Sequence, residues 1–143
     1  YDNLHDDLVS LIEGRPVTVK TKSELFNPHY DHQNPLKIEH RIEPMPILIV
    51  EGYMVLYDPR IRDLLDIKIF LDMPLQESSK RRSHTKDPVN EEYFEKVLVP
   101  MHKKLVEPTK QFADLIIDVS GKSPEDILML ANEAMDRGSN TLT

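Results

Sequence analysis

A short, strongly apolar run ends in a carboxylate: Ile47-Leu48-Ile49-Val50 is followed directly by Glu51 and Gly52. Consecutive aliphatics, half of them Ile, suit a strand buried on both faces better than so short a helix. In open α/β sheets ligands gather at the carboxyl ends of such strands. Glu51 therefore reads as a charge delivered to a site by a rigid support, the plainer reading being a strand-end acid in solvent. Basic side chains concentrate at Lys80, Arg81, Arg82 and Lys86. By itself such a run is a solvated helix end. His29 and His32 share a polar loop with Tyr30, but their spacing fits no standard metal site and reads as surface histidine.

The residues around these groups bound the class of protein. A chain of 143 residues is about one domain and long enough for a core. Its net charge of −7 gives no global attraction to nucleic acid or an anionic membrane. Cysteine is absent, which removes disulfides and thiolate zinc and fits a cytoplasmic protein. No signal peptide and no apolar run near ~20 residues is seen, so nothing is expected to span a membrane. The glycines number 4 and form no phosphate-cradling loop. The first residue is Tyr, which is not expected to be the natural start of a gene product.

Helix and strand signals alternate along the chain. Leu4, Leu8, Leu11 and Ile12 recur at helical spacing from Tyr1 to Glu13, with Gly14 and Pro16 as stops. Val17 to Thr21 and Lys37 to Ile42 alternate apolar and polar residues, predicting two antiparallel strands. The buried strand Ile47 to Val50 follows, then the turn Tyr57-Asp58-Pro59 and a short helix to Leu65. Ile67 to Leu71 and Ala113 to Val119 are further strands. Helices are expected from Pro74 to Arg82 and from Glu91 to Val106, the latter carrying Phe94, Val97, Leu98, Met101 and Leu105 on one face and kinked at Pro100. Ser123 caps a last helix that buries Ile127, Leu128, Ala131 and Met135, and residues 138–143 are expected to be a disordered tail. The alternation argues an α/β layer fold with a parallel core sheet.

Several segments together resemble one family. Ile47 to Tyr53, Tyr57-Asp58-Pro59-Arg60 with Asp63-Leu64, Lys68 to Asp72, Lys80-Arg81-Arg82, Val99-Pro100-Met101-His102, Glu107-Pro108-Thr109-Lys110 and Phe112 to Ile117 fall in the order and approximate spacing of uridine kinases. The wider group is the phosphoribulokinase and uridine kinase family of P-loop kinases. The resemblance implies a three-layer P-loop kinase-type fold with a parallel core sheet and a projecting antiparallel hairpin at 17–43. Residues 1–137 would be the C-terminal part of a single nucleoside-kinase-like domain, with a lid at 82–92.

The resemblance also implies roles. Tyr1-Asp2 looks like an aromatic-Asp pair whose carboxylate accepts both hydroxyls of a ribose, as one carboxylate can. The plainer reading of Asp2 is an acid in the first turn of a helix. Pro28-His29-Tyr30-Asp31 resembles the hairpin loop whose tyrosine contacts the nucleoside. Glu51 would hold Mg²⁺ through water, Arg82 would contact nucleoside or phosphates, and Arg81 and Lys86 would complete a cationic lid suited to phosphoryl transfer. ATP and Mg²⁺ are the implied cofactors, a nucleoside the implied substrate, and a homo-oligomer the common state of the family.

Three departures qualify that picture. Pro35 stands where uridine kinases place a pyrimidine-bonding histidine. The stretch between Arg82 and Pro100 is short, nearer to nicotinamide riboside kinases. No Gly-x-x-x-x-Gly-Lys-Ser/Thr occurs, so the N-terminal strand and P-loop are absent and the sheet is expected to lack its central strand. The implied activity of the intact protein is ATP-dependent phosphorylation of a nucleoside 5′-hydroxyl, with uridine, cytidine or nicotinamide riboside as substrates. The alternative is a non-catalytic nucleoside-binding or scaffolding remnant.

Overall fold

The leucines at helical spacing do form a helix, α1 (Asp2–Ile12), in which Leu8 and Leu11 are buried and Ile12 faces solvent. It stops at Gly14, whose φ of +78° is costly for any residue with a Cβ. The Gly14 N–H donates to the Leu11 carbonyl and the Arg15 N–H to the Ser10 carbonyl, so the helix end has its carbonyls satisfied in a Schellman motif. The computed structural model describes residues 2–22, 26–27, 29–31, 33, 36–83 and 90–139, apart from the side chains of 82–83 and 134–139. The length predicts one domain, and the contacts divide the chain into two compact units, Tyr1–Val50 and Glu51–Thr143.

In the first unit, β1 (Val17–Thr21) and β2 (Ile38–Ile42) pair antiparallel with Val17 opposite Ile42 and Val19 opposite His40. Alternation places Val17, Val19, Ile38, His40 and Ile42 on the covered face, and Thr18, Lys20, Glu39 and Arg41 in water.

The apolar run beyond β2 corrects the sequence reading. Ile47 to Val50 follows a bend at Pro46–Ile47 and makes no ladder, and Ile47 and Ile49 are 73% and 83% exposed. A buried strand needs a neighbour for its N–H and C=O groups, and the described residues provide none here. Composition alone cannot provide that neighbour.

The second unit is organised by β3 (Ile69–Asp72) and β4 (Leu115–Asp118), a parallel pair in register from Ile69–Leu115 to Asp72–Asp118. Among the described residues two core strands thus form where three were expected. The Lys68 N–H donates to Asp114 Oδ2 at 2.7 Å and the Asp114 N–H to the Lys68 carbonyl at 2.8 Å, which fixes the start of the ladder. The Val119 N–H donates to the Asp72 carbonyl at 2.9 Å and closes it. Phe70 and Ile117 are buried from opposite faces of the pair, as parallel strands require.

Ahead of β3, Asp58 caps α2 (Pro59–Arg62) with a carboxyl that accepts the Arg60 N–H at 2.9 Å and pairs with the Arg60 guanidinium at 2.7 Å. Pro59 sits in the first turn, where its missing N–H costs nothing. Ile61, fully buried, anchors α2. Arg62 donates to the carbonyls of Leu56 and Tyr57 and lies 3.9 Å over the Phe112 ring, tying both ends of the unit's core together.

Two corrections concern helices. Beyond α3 (Leu75–Ser83), the expected single helix over 91–106 is instead a relay. It runs through α4 (Glu91–Tyr93), a π-helical turn (Phe94–Leu98), α5 (Val99–Met101), a second π turn (His102–Val106) and a 3₁₀ segment (Glu107–Phe112). The Val99 N–H bonds the Phe94 carbonyl, so the widened turn falls immediately before Pro100, which has no N–H of its own to give. Each wide turn rotates the apolar positions out of step, and Val97 and Met101 end exposed instead of buried. In α6 (Pro124–Ser139), Ser123 and Asp126 cap each other reciprocally, yet Leu128 is 61% exposed. The helix continues through Ser139, into the stretch expected to be tail, and residues 140–143 lie outside the described residues.

Truncation of Ile61 to Ala should lower unfolding free energy by about 3 kcal/mol, read as a shift in urea midpoint, because the removed atoms leave a cavity. Arg60 holds the Asp58 carboxyl down at about 2 from 3.8. A lowered folded-state value stabilises above the unfolded one, so the difference between the unaltered chain and Asp58→Asn should be full above pH 3.8 and vanish as pH falls towards 2.

Candidate functional site

In the first unit the groups with substrate-binding chemistry are held by turns. Asp2 lies exposed in the first turn of α1. Tyr30 follows a turn set by Asn27, a polar residue only 7% exposed. The Asn27 side-chain oxygen accepts the His29 N–H at 3.0 Å, and its carbonyl accepts the Tyr30 N–H at 3.1 Å. An asparagine that bonds the backbone two residues on is the ordinary seed of such a turn. Asp31 repeats the device on the Gln33 N–H at 2.9 Å. Half-buried Tyr30 thus has a fixed backbone on a loop, the usual place for a recognition residue. Pro28, His32 and Pro35 lie outside the described residues.

The second unit carries the remaining charged groups. Glu51 is exposed, followed by Gly52 at φ +156°, where an added Cβ would come within 3.3 Å of Val55 Cγ2. Its support is therefore a glycine-dependent turn and not the strand expected. Arg81 on α3 donates to Glu77 Oε1 at 2.9 Å and to the Val119 carbonyl at 3.0 Å, and Glu77 also accepts the Gly121 N–H. Arg81 therefore fastens α3 to the end of β4. Arg82 follows it on α3, with its side chain outside what is described, and Lys86 lies outside the described residues altogether.

A cleft of about 510 Å³ opens at the carboxyl ends of β3 and β4, lined among others by Asp72, Pro74, His102, Glu107, Lys110 and Asp118. This is where a parallel sheet presents its ligand-binding end. Lys110 Nζ lies 2.6 Å from Asp72 Oδ2 and 3.6 Å from Glu107 Oε1. His102 Nε2 is 3.3 Å from Glu107 Oε2. The hydrogen bond and charge of Asp72 push the Lys110 ammonium above its usual value despite desolvation. Ser120 lowers the Asp118 carboxyl by hydrogen bonding, its N–H donating at 2.9 Å. Sequence reading quoted Asp72, Glu107 and Lys110 as pattern but gave them no role. The available signal was the one used for Glu51, a carboxylate closing an apolar strand, which Asp72 and Asp118 share.

Among the described residues no group of three or more metal-ligating side chains occurs. A lone exposed carboxylate such as Glu51 fits Mg²⁺, which keeps most of its waters and takes one or two carboxylates. A triphosphate is another matter. Arg81 is committed to Glu77 and Val119, and Lys110 to Asp72, so these residues form no cradle for it.

Replacing Lys110 by Met should cost less than about 1 kcal/mol, as expected for a partly exposed pair. A raised folded-state value stabilises below the unfolded one, 10.5 for lysine. The difference between Lys110→Met and the unaltered chain should therefore hold through neutral pH and disappear only as pH rises through the raised Lys110 value, read in urea midpoints.

Comparison with known proteins gives the same direction throughout. The model of the phosphoribulokinase / uridine kinase family matches residues 1–124. A uridine kinase of Streptococcus agalactiae serotype V is 37% identical over 122 residues, covering 78% of this chain and 54% of the relative. One from Clostridium perfringens is 38% identical over 133 residues, covering 85% and 60%, and one from Bacillus cytotoxicus is 35% identical over 133 residues, covering 85% and 56%. The chain thus spans little more than half the length of these curated relatives. The extent of the family match and the level of identity establish that this chain belongs to the phosphoribulokinase/uridine kinase family.

Proposed function

We propose that the protein serves ATP-dependent phosphorylation of a nucleoside 5′-hydroxyl, with a uridine- or cytidine-like substrate. The observation that carries this is the family match over residues 1–124, the span in which Asp2, Tyr30, Glu51, Arg81 and Arg82 fall, together with 35–38% identity to uridine kinases. These relatives do not favour nicotinamide riboside as substrate, the reading suggested by the short lid.

In this proposal Asp2 accepts hydrogen bonds from both ribose hydroxyls and so fixes the sugar. Tyr30, on its Asn27-built turn, contacts the nucleoside. Glu51 orients a water-clad Mg²⁺, whose chemistry when bound is to neutralise phosphate charge. Arg82 and Lys86 are the cations assigned to offset negative charge on the transferred group. Arg81 contributes by holding α3 to β4, and with it the base of the lid. The site is expected to be that of a cytoplasmic enzyme working on small molecules, with homo-oligomerisation as in its family. No described helix is long and apolar enough to cross a membrane.

The alternative reading is a nucleoside-binding protein without turnover. Incubating the protein with ATP, Mg²⁺ and a panel of nucleosides separates the two. Formation of UMP or CMP supports the kinase, and uridine binding without product supports the alternative. On either reading uridine should bind about tenfold more tightly than 2′-deoxyuridine, and Asp2→Asn should erase that difference in a calorimetric titration. Equal affinities for the two nucleosides in the unaltered chain would remove Asp2 from the site.

A further inference from the structure

The relay that follows Pro100 lines up four ionisable side chains through its changes of winding. In an α-helix, residues five apart lie about 140° from each other around the axis and do not meet. His102 and Glu107 do meet, with Nε2 3.3 Å from Oε2. The reason is the second π turn, in which the Glu107 N–H bonds the His102 carbonyl and brings the two residues onto one side. The 3₁₀ segment then takes over, where residues three apart eclipse, and it sets Lys110 over Glu107 with Nζ 3.6 Å from Oε1. The Lys110 ammonium donates in turn to Asp72 Oδ2 at 2.6 Å, at the end of β3. All four residues line the cleft.

Glu107 thus stands between two nitrogen groups and offers a different oxygen to each. Of the four side chains, the imidazole is the type whose charge changes near neutral pH. A carboxylate bonds an imidazolium more strongly than a neutral ring. Lys103 on the same turn and Asp118 at the end of β4 line the same cleft. Their charges act on the ring in opposite directions, which leaves Glu107 as its bonded partner.

We propose that His102 is a pH-sensitive switch on the charge of the cleft, acting on Asp72 through Glu107 and Lys110. With the ring protonated, Glu107 is drawn to it and Lys110 rests on Asp72, which is the spacing of 2.6 Å against 3.6 Å in the structure. Loss of the proton releases Glu107 to Lys110, which then divides its ammonium between Glu107 and Asp72. Lys110 keeps a carboxylate partner in both states, so the ladder end is not undone. Asp72 opens to the cleft beside Asp118, and the cleft loses one positive charge at the same step. The switch stands apart from the nucleoside reading above. Its competitor is an imidazole that titrates without effect on Asp72.

The test is a nuclear magnetic resonance titration of the full chain between about pH 5 and 8, following the His102 ring, the Asp72 carboxyl carbon and the Lys110 ammonium nitrogen. Asp72 and Lys110 should each shift in one step with the midpoint of the His102 ring, in a range where carboxylates and lysine do not themselves titrate. His102→Gln should abolish that step. Glu107→Gln should leave His102 titrating and Asp72 still. The backbone amide spectrum reports whether each variant keeps the fold, and either variant alone suffices. An Asp72 signal that stays flat while His102 titrates overturns the proposal. So does a step that persists in His102→Gln, which would assign it to another group, or one that persists in Glu107→Gln, which would remove the relay.

Discussion

The second unit depends on a very short parallel ladder. β3 and β4 are distant in sequence, and only Ile69 to Asp72 and Leu115 to Asp118 pair. A parallel pair forms its contacts late and at high loop-closure cost, so so few residues would be a weak join on their own. Side chains lock both ends. Asp114 accepts from the Lys68 backbone and ammonium at one end, while Lys110 grips Asp72 at the other. Arg81 adds a tie from α3 to the carbonyl just past β4. The register that these ties impose sets Asp72 and Asp118 side by side at the mouth of the cleft.

Charge is used in the second unit mainly to hold backbone in place. Asp58, Arg62, Arg81 and Asp114 reach main-chain groups at 2.7–3.0 Å, and the Lys68 ammonium reaches the Leu65 carbonyl at 3.2 Å. Such bonds are stronger than neutral ones and satisfy groups that short elements leave over. The same residue types in a list of charges look like surface. Here they replace the ladder bonds and helical turns that longer elements would have provided.

Local signals were readable from the sequence, and partners were not. Gly14 after a run of leucines, Asp58-Pro59 ahead of a short helix and Ser123 three residues before Asp126 each specify a boundary through backbone chemistry confined to neighbours. Strand alternation in Val17 to Thr21 worked for the same reason. Ile47 to Val50 shows the limit: its composition is right for a core strand, and the described residues give it nothing to pair with. The helical relay from Glu91 to Phe112 shows another. Assuming a constant period placed Val97 and Met101 inside, whereas two widened turns around Pro100 carry them out. For the candidate site, the residues named in advance came from motif order, and the cleft around Asp72, Lys110 and Asp118 escaped because it is assembled only by the long-range pairing of β3 with β4.

The unpaired stretch Met45–Val50 also bears on how the protein behaves when crowded. An uncharged segment without a ladder, with Ile47 and Ile49 in water, offers backbone and apolar side chains to strands of other molecules, the usual start of cross-β association. Its flanks oppose this. Pro44 and Pro46 deny it two ladder donors, while Glu43 and Glu51 set like charges at both borders, so stacked copies would repel. An acidic Glu51 thereby also guards solubility beside this exposed apolar stretch.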